Sequence, residues 1–236
     1  MKSELCKVLI IIPAYNEEES IDVVIRNLQE NVNENNYQVD YLVINDCSKD
    51  RTLEVLEEGS RSYVSLPINL GIGGGVQCGY LYAKENGYDI AIQMDGDGQH
   101  DPQYIDDLVK PILNDEADMT LGSRFIDKEG FQSSALRRFG IRFLSTVIQC
   151  VCGIKIKDVT SGFRAVNRNI LEDFADDYAQ DYPEPESLVV CAKKEYRIKE
   201  VAVVMRERQG GESSISPFRS VYYMIKVTIA ILFRAM

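Results

Sequence analysis

Two rhythms of apolar residues alternate along the first half of the chain. Val8–Ile12 is an unbroken β-branched and leucine run closed by Pro13, which predicts a buried strand. Ile21, Val24, Ile25 and Leu28 then recur at helical spacing within Glu17–Glu30, and Glu17, Glu18 and Glu19 suit the positive end of that helix. The same alternation predicts strands at Tyr41–Ile44, Val64–Leu66, Asp89–Met94 and Met119–Leu121. Between them it predicts helices from Asp50 to about Glu58, from Gly75 to Glu85, and over Tyr104–Leu113, the last announced by Asp101-Pro102. Strands alternating with helices imply an α/β fold with a mostly parallel central sheet flanked by helices. Ligands in such sheets bind beyond the carboxyl ends of the strands.

After Gly122 the pattern loosens. Leu136–Cys152 reads as a long helix with a basic start, Lys199–Glu207 alternates as a strand, and Ser220–Phe233 is an apolar helix interrupted by Lys226. No repeat or low-complexity linker divides the chain. We expect one domain over 1–215 and an amphipathic helical extension over 216–236.

The 236 residues carry 37 acidic and 26 basic side chains, a net charge of -11. That balance argues against a general nucleic-acid binder, which needs a basic footprint. The charge is uneven. Residues 1–136 hold 25 acids against 10 bases, whereas 137–157 hold Arg137, Arg138, Arg142, Lys155 and Lys157 with no acid. A basic, apolar-rich segment in an acidic chain is either a solvated surface or a face for an anionic partner. The six cysteines form no CxxC pair and read as reduced thiols of a cytosolic protein. No secretory leader is evident, and the apolar run Val227–Phe233 is seven residues against the ~20 that span a bilayer.

Polar clusters follow three of the strands: Tyr15-Asn16-Glu17, Asp46-Cys47-Ser48-Lys49-Asp50, and Asp95-Gly96-Asp97-Gly98-Gln99. A parallel sheet gathers all three on one rim. Singly, each could be a helix cap, and Asp50 and Asp101 are as readily caps as functional groups. The third cluster is the most informative, because glycines let the backbone curl and aim Asp95 and Asp97 at one point. Hard oxygens of this kind suit Mg²⁺ or Mn²⁺ shared with waters and a substrate's phosphates. An EF-hand fails, with His100 where glycine is needed and Asp106 where glutamate is needed. An aspartyl-nucleophile phosphatase would leave the first two clusters unexplained. The glycines from Gly71 to Gly79 miss the G-x-G-x-x-G spacing, and Glu17–Glu19 after the first strand would repel a pyrophosphate. His100, the one histidine, reads as a loop side chain, and no G-x-S-x-G elbow is present.

Together these segments resemble the family 2 glycosyltransferases of the GT-A nucleotide-sugar fold, most closely the dolichyl (polyprenyl) phosphate mannosyltransferase-like branch. The likeness runs through Pro13-Ala14-Tyr15-Asn16-Glu17, Asp46-Cys47-Ser48-Lys49-Asp50-Arg51-Thr52, Asn69-Leu70-Gly71 and Asp95-Gly96-Asp97-Gly98-Gln99. It continues through Gly122-Ser123-Arg124-Phe125, Asp158–Arg164 and Arg208–Ser213, and so covers nearly the whole chain in order. The resemblance implies that Pro13, Tyr15, Glu17, Asp46 and Asp95 hold the nucleotide sugar. It places Asp97 and Gln99 on Mg²⁺ or Mn²⁺, and Arg124, Arg138 and Arg208 on the acceptor phosphate, with Arg137 and Arg142 as alternatives to Arg138. Asp97, Arg124 and Asp158 are the implied catalytic residues. Asn45 stands where many relatives have a second Asp, and Ile72 where many have a basic residue, which leaves the base and sugar open.

The implied activity is an inverting transfer of a hexosyl group from a UDP- or GDP-sugar to a polyprenyl (undecaprenyl or dolichyl) phosphate, in cell-surface glycan synthesis. A lipid phosphate, with a second pKa of about 6, attacks without a general base. A sugar hydroxyl acceptor would instead need a carboxylate, with Asp158, Glu184 and Glu186 as the options. A non-catalytic nucleotide-sugar-binding subunit is the third reading. The expected location is cytoplasmic, on the inner face of a membrane, with its surface, a small membrane protein or a second copy of the chain as further partners.

Overall fold

The structure is a computed structural model, and residues 5–32, 37–127, 129, 135–206 and 217–235 are described. The elements follow in order β1 (Cys6–Ala14), α1 (Ile21–Asn31), β2 (Tyr37–Asn45), α2 (Thr52–Glu58), β3 (Tyr63–Ser65) and α3 (Gly71–Glu85). Then come β4 (Ile90–Gln93), a 3₁₀ turn (Pro102–Tyr104), α4 (Ile105–Leu113), β5 (Met119–Ser123) and α5 (Ala135–Cys152). The chain continues through β6 (Arg164–Asn167), α6 (Arg168–Asp176), α7 (Pro183–Lys193), β7 (Ile198–Ala202) and α8 (Pro217–Ala235).

One sheet runs in the order β3-β2-β1-β4-β6-β5-β7. All its pairings are parallel except those of β6, which is antiparallel to both β4 and β5. The mostly parallel α/β architecture expected from the pattern is therefore what forms. Strand order turns back at β1, whose neighbours are β2 and β4, so a crevice opens beyond their carboxyl ends. Being antiparallel, β6 starts at that same rim and delivers the loop before it, residues 158–163, to a place between the ends of β4 and β5.

The core lies on both faces of the sheet. Val8, Ile10 and Ile12 pack with α1 and α4 on one side, while Leu9 and Ile11 pack with α3, α5, α6 and α7 on the other. This two-sided burial explains why β1 reads as a continuous apolar run without alternation.

Several boundaries differ from expectation. The stretch from Glu17 to Ser20 is a turn and α1 begins at Ile21, because side chains after β2 draw the first glutamates out of the helix. Helix α3 begins at Gly71 and so contains the glycine cluster that was expected to precede it. Glycines inside a helix cost about 1 kcal/mol each, so packing must require them. At Gly73 a Cβ would land on the backbone carbonyl oxygens of Ala179 and Gln180, and at Gly79 on the side chain of Ile11. Backbone cannot yield as a side chain tip does. Gly73→Ala is expected to destabilise the fold by ~3 kcal/mol, a fall of ~6–12 °C in Tm for a chain of this size, measurable by calorimetry.

The expected strand at Lys199–Glu207 is shorter, β7 ending at Ala202, and residues 207–216 lie outside the described set. The final helix rests on the body of the protein. Val227 and Ile231 join the core, Met224 fills the space over Gly140 of α5, and Arg234 pairs with Asp177.

Candidate active site

The loops after β1 and β2 are laced together by bonds between side chains and backbone. Ser48 Oγ accepts from Asn16 N at 3.0 Å, and Asn16 Oδ1 accepts from Lys49 N at 2.8 Å. Thr52 Oγ1 accepts from Glu17 N at 2.8 Å, Asp50 Oδ2 from Glu18 N at 3.1 Å, and Glu18 Oε2 from Arg51 N at 2.9 Å. Asn16 and Cys47 both adopt left-handed backbone, with φ of 57° and 56°. Such conformations persist where surrounding contacts over-determine them. Asp50 is thus a brace: burial would raise its pKa, but hydrogen bonds from Thr52 and Glu18 outweigh it and lower the pKa.

Asp46 is nearly buried where the strand ends. Its Oδ1 accepts from Leu70 N at 2.7 Å, and its carbonyl accepts from Asn69 Nδ2 at 3.0 Å. Asp95 follows β4. Its backbone N–H donates to His100 Nδ1 at 3.0 Å, which fixes the proton on Nε2 of that ring, and the ring stacks on Phe163. His100 is therefore a buried loop brace, as expected of a lone histidine. Asp97 Oδ1 accepts from Gln99 N at 3.0 Å, and Gly98, at φ +77°, supplies the turn between them.

These loops enclose a cleft of about 440 Å³ lined by Pro13, Ala14, Tyr15, Glu17, Asp46, Asn69, Gly71, Ile72, Gly75, Asp95, Gly96 and Asp97. The five residues expected to hold a nucleotide sugar, with Asp97, share this one cavity. Four of its lining side chains are carboxylates and none is basic. A larger hollow of about 780 Å³ lies around Val39, Asp40, Tyr41 and Tyr88 on β2 and beside β4. None of the candidate site residues lines it.

Behind Asp95 lies a buried polar network that the sequence did not reveal. A Cβ at Gly162 would come within 2.9 Å of Asp95 Oδ2 and 3.0 Å of Gln93 Nε2, so a side chain there would push the carboxylate or the amide from its place. Gln93 Nε2 donates to Asp95 Oδ1 at 3.3 Å. Arg164, fully buried, donates to the carbonyl of Ser161, to the carbonyl of Glu184 at 3.2 Å and to Ser187 Oγ at 2.6 Å. Burial raises the pKa of Glu184; Arg164 opposes the shift and the Asp95 charge adds to it.

Arg124 follows β5 on the same rim, two strands from β4 and hence ~10 Å across the sheet. Its Nε and Nη2 donate to the two oxygens of Asp158 at 2.8 and 2.7 Å, and Nη2 also donates to Thr160 Oγ1 at 3.2 Å. Asp158 is fully buried and Arg124 nearly so. The carboxylate that would act as base for a hydroxyl acceptor is thus engaged by a guanidinium fork. Glu200 of β7 accepts from the backbone N–H groups of Lys157 and Asp158, both at 2.9 Å, and so anchors this turn. One loop, 158–163, presses on Asp95 at one end and grips Arg124 at the other. Arg138 lies half-buried in α5, and Arg208 lies outside the described residues.

Residues 9–175 match the sequence profile of the family described as Glycosyl transferase family 2. The chain belongs to that family. It is a glycosyltransferase, and the reading as a non-catalytic binding subunit is set aside. Among curated relatives, the UDP-N-acetylglucosamine–dolichyl-phosphate N-acetylglucosaminyltransferase of Methanococcus voltae is 31% identical over 216 residues, covering 83% of this chain and 84% of its own length. The undecaprenyl-phosphate mannosyltransferase of Micrococcus luteus is 29% identical, covering 89% of this chain and 88% of that one. Among solved structures, glucosyl-3-phosphoglycerate synthase of Mycobacterium tuberculosis, in complex with Mn²⁺, UDP-glucose and phosphoglyceric acid, superposes with a TM-score of 0.74. It matches 98% of this chain and 80% of its own at 21% identity, a likeness of fold.

Proposed function

We propose that this glycosyltransferase moves a hexosyl group from a UDP- or GDP-linked sugar to a polyprenyl phosphate, inverting the anomeric carbon, in cell-surface glycan synthesis. The observation that carries the donor half is the cleft with four carboxylates and no basic lining residue. A nucleotide diphosphate brought there alone would meet only repulsion, so the site calls for a cation. A hard cation here would share its shell with the substrate's phosphates and water. Asp97 and Gln99 would hold Mg²⁺ or Mn²⁺, and a bound cation would offset the charge that gathers on the diphosphate as the glycosidic bond breaks.

The chain's own residues do the rest. Pro13, Tyr15, Glu17 and Asp46 hold base and ribose, and Asp95, backed by Gln93 and Gly162, holds the ribose and diphosphate side. Arg124, oriented by Asp158, binds the acceptor phosphate, a role the family resemblance also gives Arg138 and Arg208. The phosphate is already deprotonated near neutral pH and needs no base. In that case Asp158 serves by holding Arg124, which agrees with its burial in the pair.

The acceptor half draws support from the relatives that act on dolichyl and undecaprenyl phosphates, and from one apolar surface. Ile225, Ile229, Leu232 and Phe233 lie exposed along one side of α8, and Phe139 and Phe143 along α5. The helices meet where Met224 covers Gly140, next to Phe139 and Ile225. Neither helix holds an acidic residue, and Arg142 and Lys226 stand exposed beside the apolar positions. No described helix is long and apolar enough to cross a membrane. The pattern fits helices lying on an anionic lipid surface, with apolar side chains dipped in and basic ones at the headgroups.

The test is transfer of radiolabelled sugar, from a panel of UDP- and GDP-sugars with Mn²⁺, to polyprenyl phosphate carried in vesicles. Labelled lipid product is expected, and formed faster in phosphatidylglycerol vesicles than in phosphatidylcholine. Label on an oligosaccharide acceptor and none on lipid would overturn the reading.

A further inference from the structure

The segment after β7 crosses back to the Asp95–Gln99 loop and is fastened there at two points. Arg206 N donates to the carbonyl oxygen of Gln99 at 3.0 Å, and Arg206 Nη2 pairs with Asp101 Oδ2 at 2.5 Å. Asp101 is nearly buried. It also caps the 3₁₀ turn, accepting from Gln103 N on Oδ1 at 3.2 Å and from Gln103 Nε2 on Oδ2 at 3.0 Å. Met205, just before Arg206, is buried in the core with Ile105 and Leu108 of α4, so the clamp has a fixed base. The two attachment points bracket His100, whose ring holds the backbone of Asp95. The far end of the loop, Gln99 to Asp101, is thus tied to an arginine 105 residues away from its ion-pair partner, while Ser20 Oγ holds the near end by donating to the carbonyl of Gly96 at 2.9 Å.

We infer that Arg206 is a positioning residue for the cation site: by gripping Asp101 and Gln99 it holds the Asp97–Gln99 turn in the shape that receives a divalent ion. The inference rests on the metal assignment proposed above. Outer contacts of this kind typically change metal affinity by about 10- to 100-fold when removed. Arg206 is half-exposed, which places its effect at the lower end, roughly 5- to 10-fold.

The sign of the effect separates positioning from simple electrostatics. Arg206 is a cation beside a cation site, so deleting its charge should tighten metal binding if its field were all that mattered. A positioning role predicts the opposite. The experiment measures free Mn²⁺ by electron paramagnetic resonance, titrating MnCl₂ into the full chain with saturating UDP or GDP. Arg206→Ala is expected to weaken Mn²⁺ binding roughly 5- to 10-fold with little change in metal-free Tm. The backbone bond to Gln99 survives in both variants, so Arg206→Lys, which restores an ion pair to Asp101, should recover most of the loss. Arg206→Ala/Asp101→Asn should be no worse than the weaker single variant, because both break one contact. Mn²⁺ binding by Arg206→Ala equal to or tighter than wild type overturns this inference and leaves the metal reading standing. A wild-type chain that binds no Mn²⁺ with either nucleotide overturns the metal reading, and the inference with it.

Discussion

Replacing Asp97 with Asn is expected to lower sugar transfer by ~10³-fold or more while leaving the fold in place. The substitution is chosen for what it keeps. Asp97 Oδ1 accepts the Gln99 N–H, and an asparagine oxygen can do the same, so the turn survives while the charge is removed. What is lost is one of the two carboxylates this loop contributes to the cleft. Stabilisation of a departing diphosphate by a bound cation amounts to several kcal/mol, and ~4 kcal/mol is a factor of ~10³ in rate. The loss should appear in kcat at saturating nucleotide sugar, and raising Mn²⁺ should restore only part of it. Turnover near that of the wild type, with an unchanged Mn²⁺ requirement, would take Asp97 out of the mechanism. Asp97→Ala removes the turn bond as well, so the difference between the two variants measures the loop contribution separately.

The half of the site built on β1, β2 and β4 was open to reading from sequence because its causes are local. Each strand carries an apolar run with helices on both faces, and β1, β2 and β4 close on Pro13-Ala14, Asn45 and Gln93, just before a polar cluster. Parallel pairing then places those clusters on one rim without further information. Residues 164–193 were unreadable for the opposite reason. Strand β6 is four residues long, begins with a buried arginine, and takes its direction from neighbours far away in sequence. The partners that let Arg164 be buried, Ser161, Glu184 and Ser187, come from the loop before it and a helix after it. No periodicity marks such a residue. Glu17–Glu19 misled for a related reason: a helix dipole attracts acids, but Thr52 and Asp50 hold the backbone of Glu17 and Glu18 outside the helix. The Asp-Cys-Ser-x-Asp-x-Thr pattern is thus largely a brace for the loop before it. Glycines in α3 read as a loop because propensity says so, and only the approach of the 179–180 backbone reverses that.

Arg124 and Asp158 lead to the second large effect, in which stability and activity come apart. The pair is buried, with the carboxylate fully enclosed and held by two guanidinium bonds at 2.7 and 2.8 Å. Removing one partner strands the other charge, which costs about 3–5 kcal/mol. Asp158→Ala should therefore unfold ~6–20 °C below the wild type. Replacing both, as Arg124→Met/Asp158→Leu, removes the stranded charge, and apolar replacement of a buried pair is often neutral. Here recovery should be incomplete, about half, because the backbone N–H of Arg124 also donates to Asp158 at 3.2 Å and loses its acceptor. Transfer should not recover with stability. If Arg124 holds the acceptor phosphate, the double variant stays inactive toward polyprenyl phosphate although it still binds nucleotide sugar. Calorimetry and a donor-binding titration on the same samples separate the two. A double variant that regains both stability and transfer would reduce this pair to a piece of architecture, and would move the acceptor site to Arg138 and its neighbours on α5.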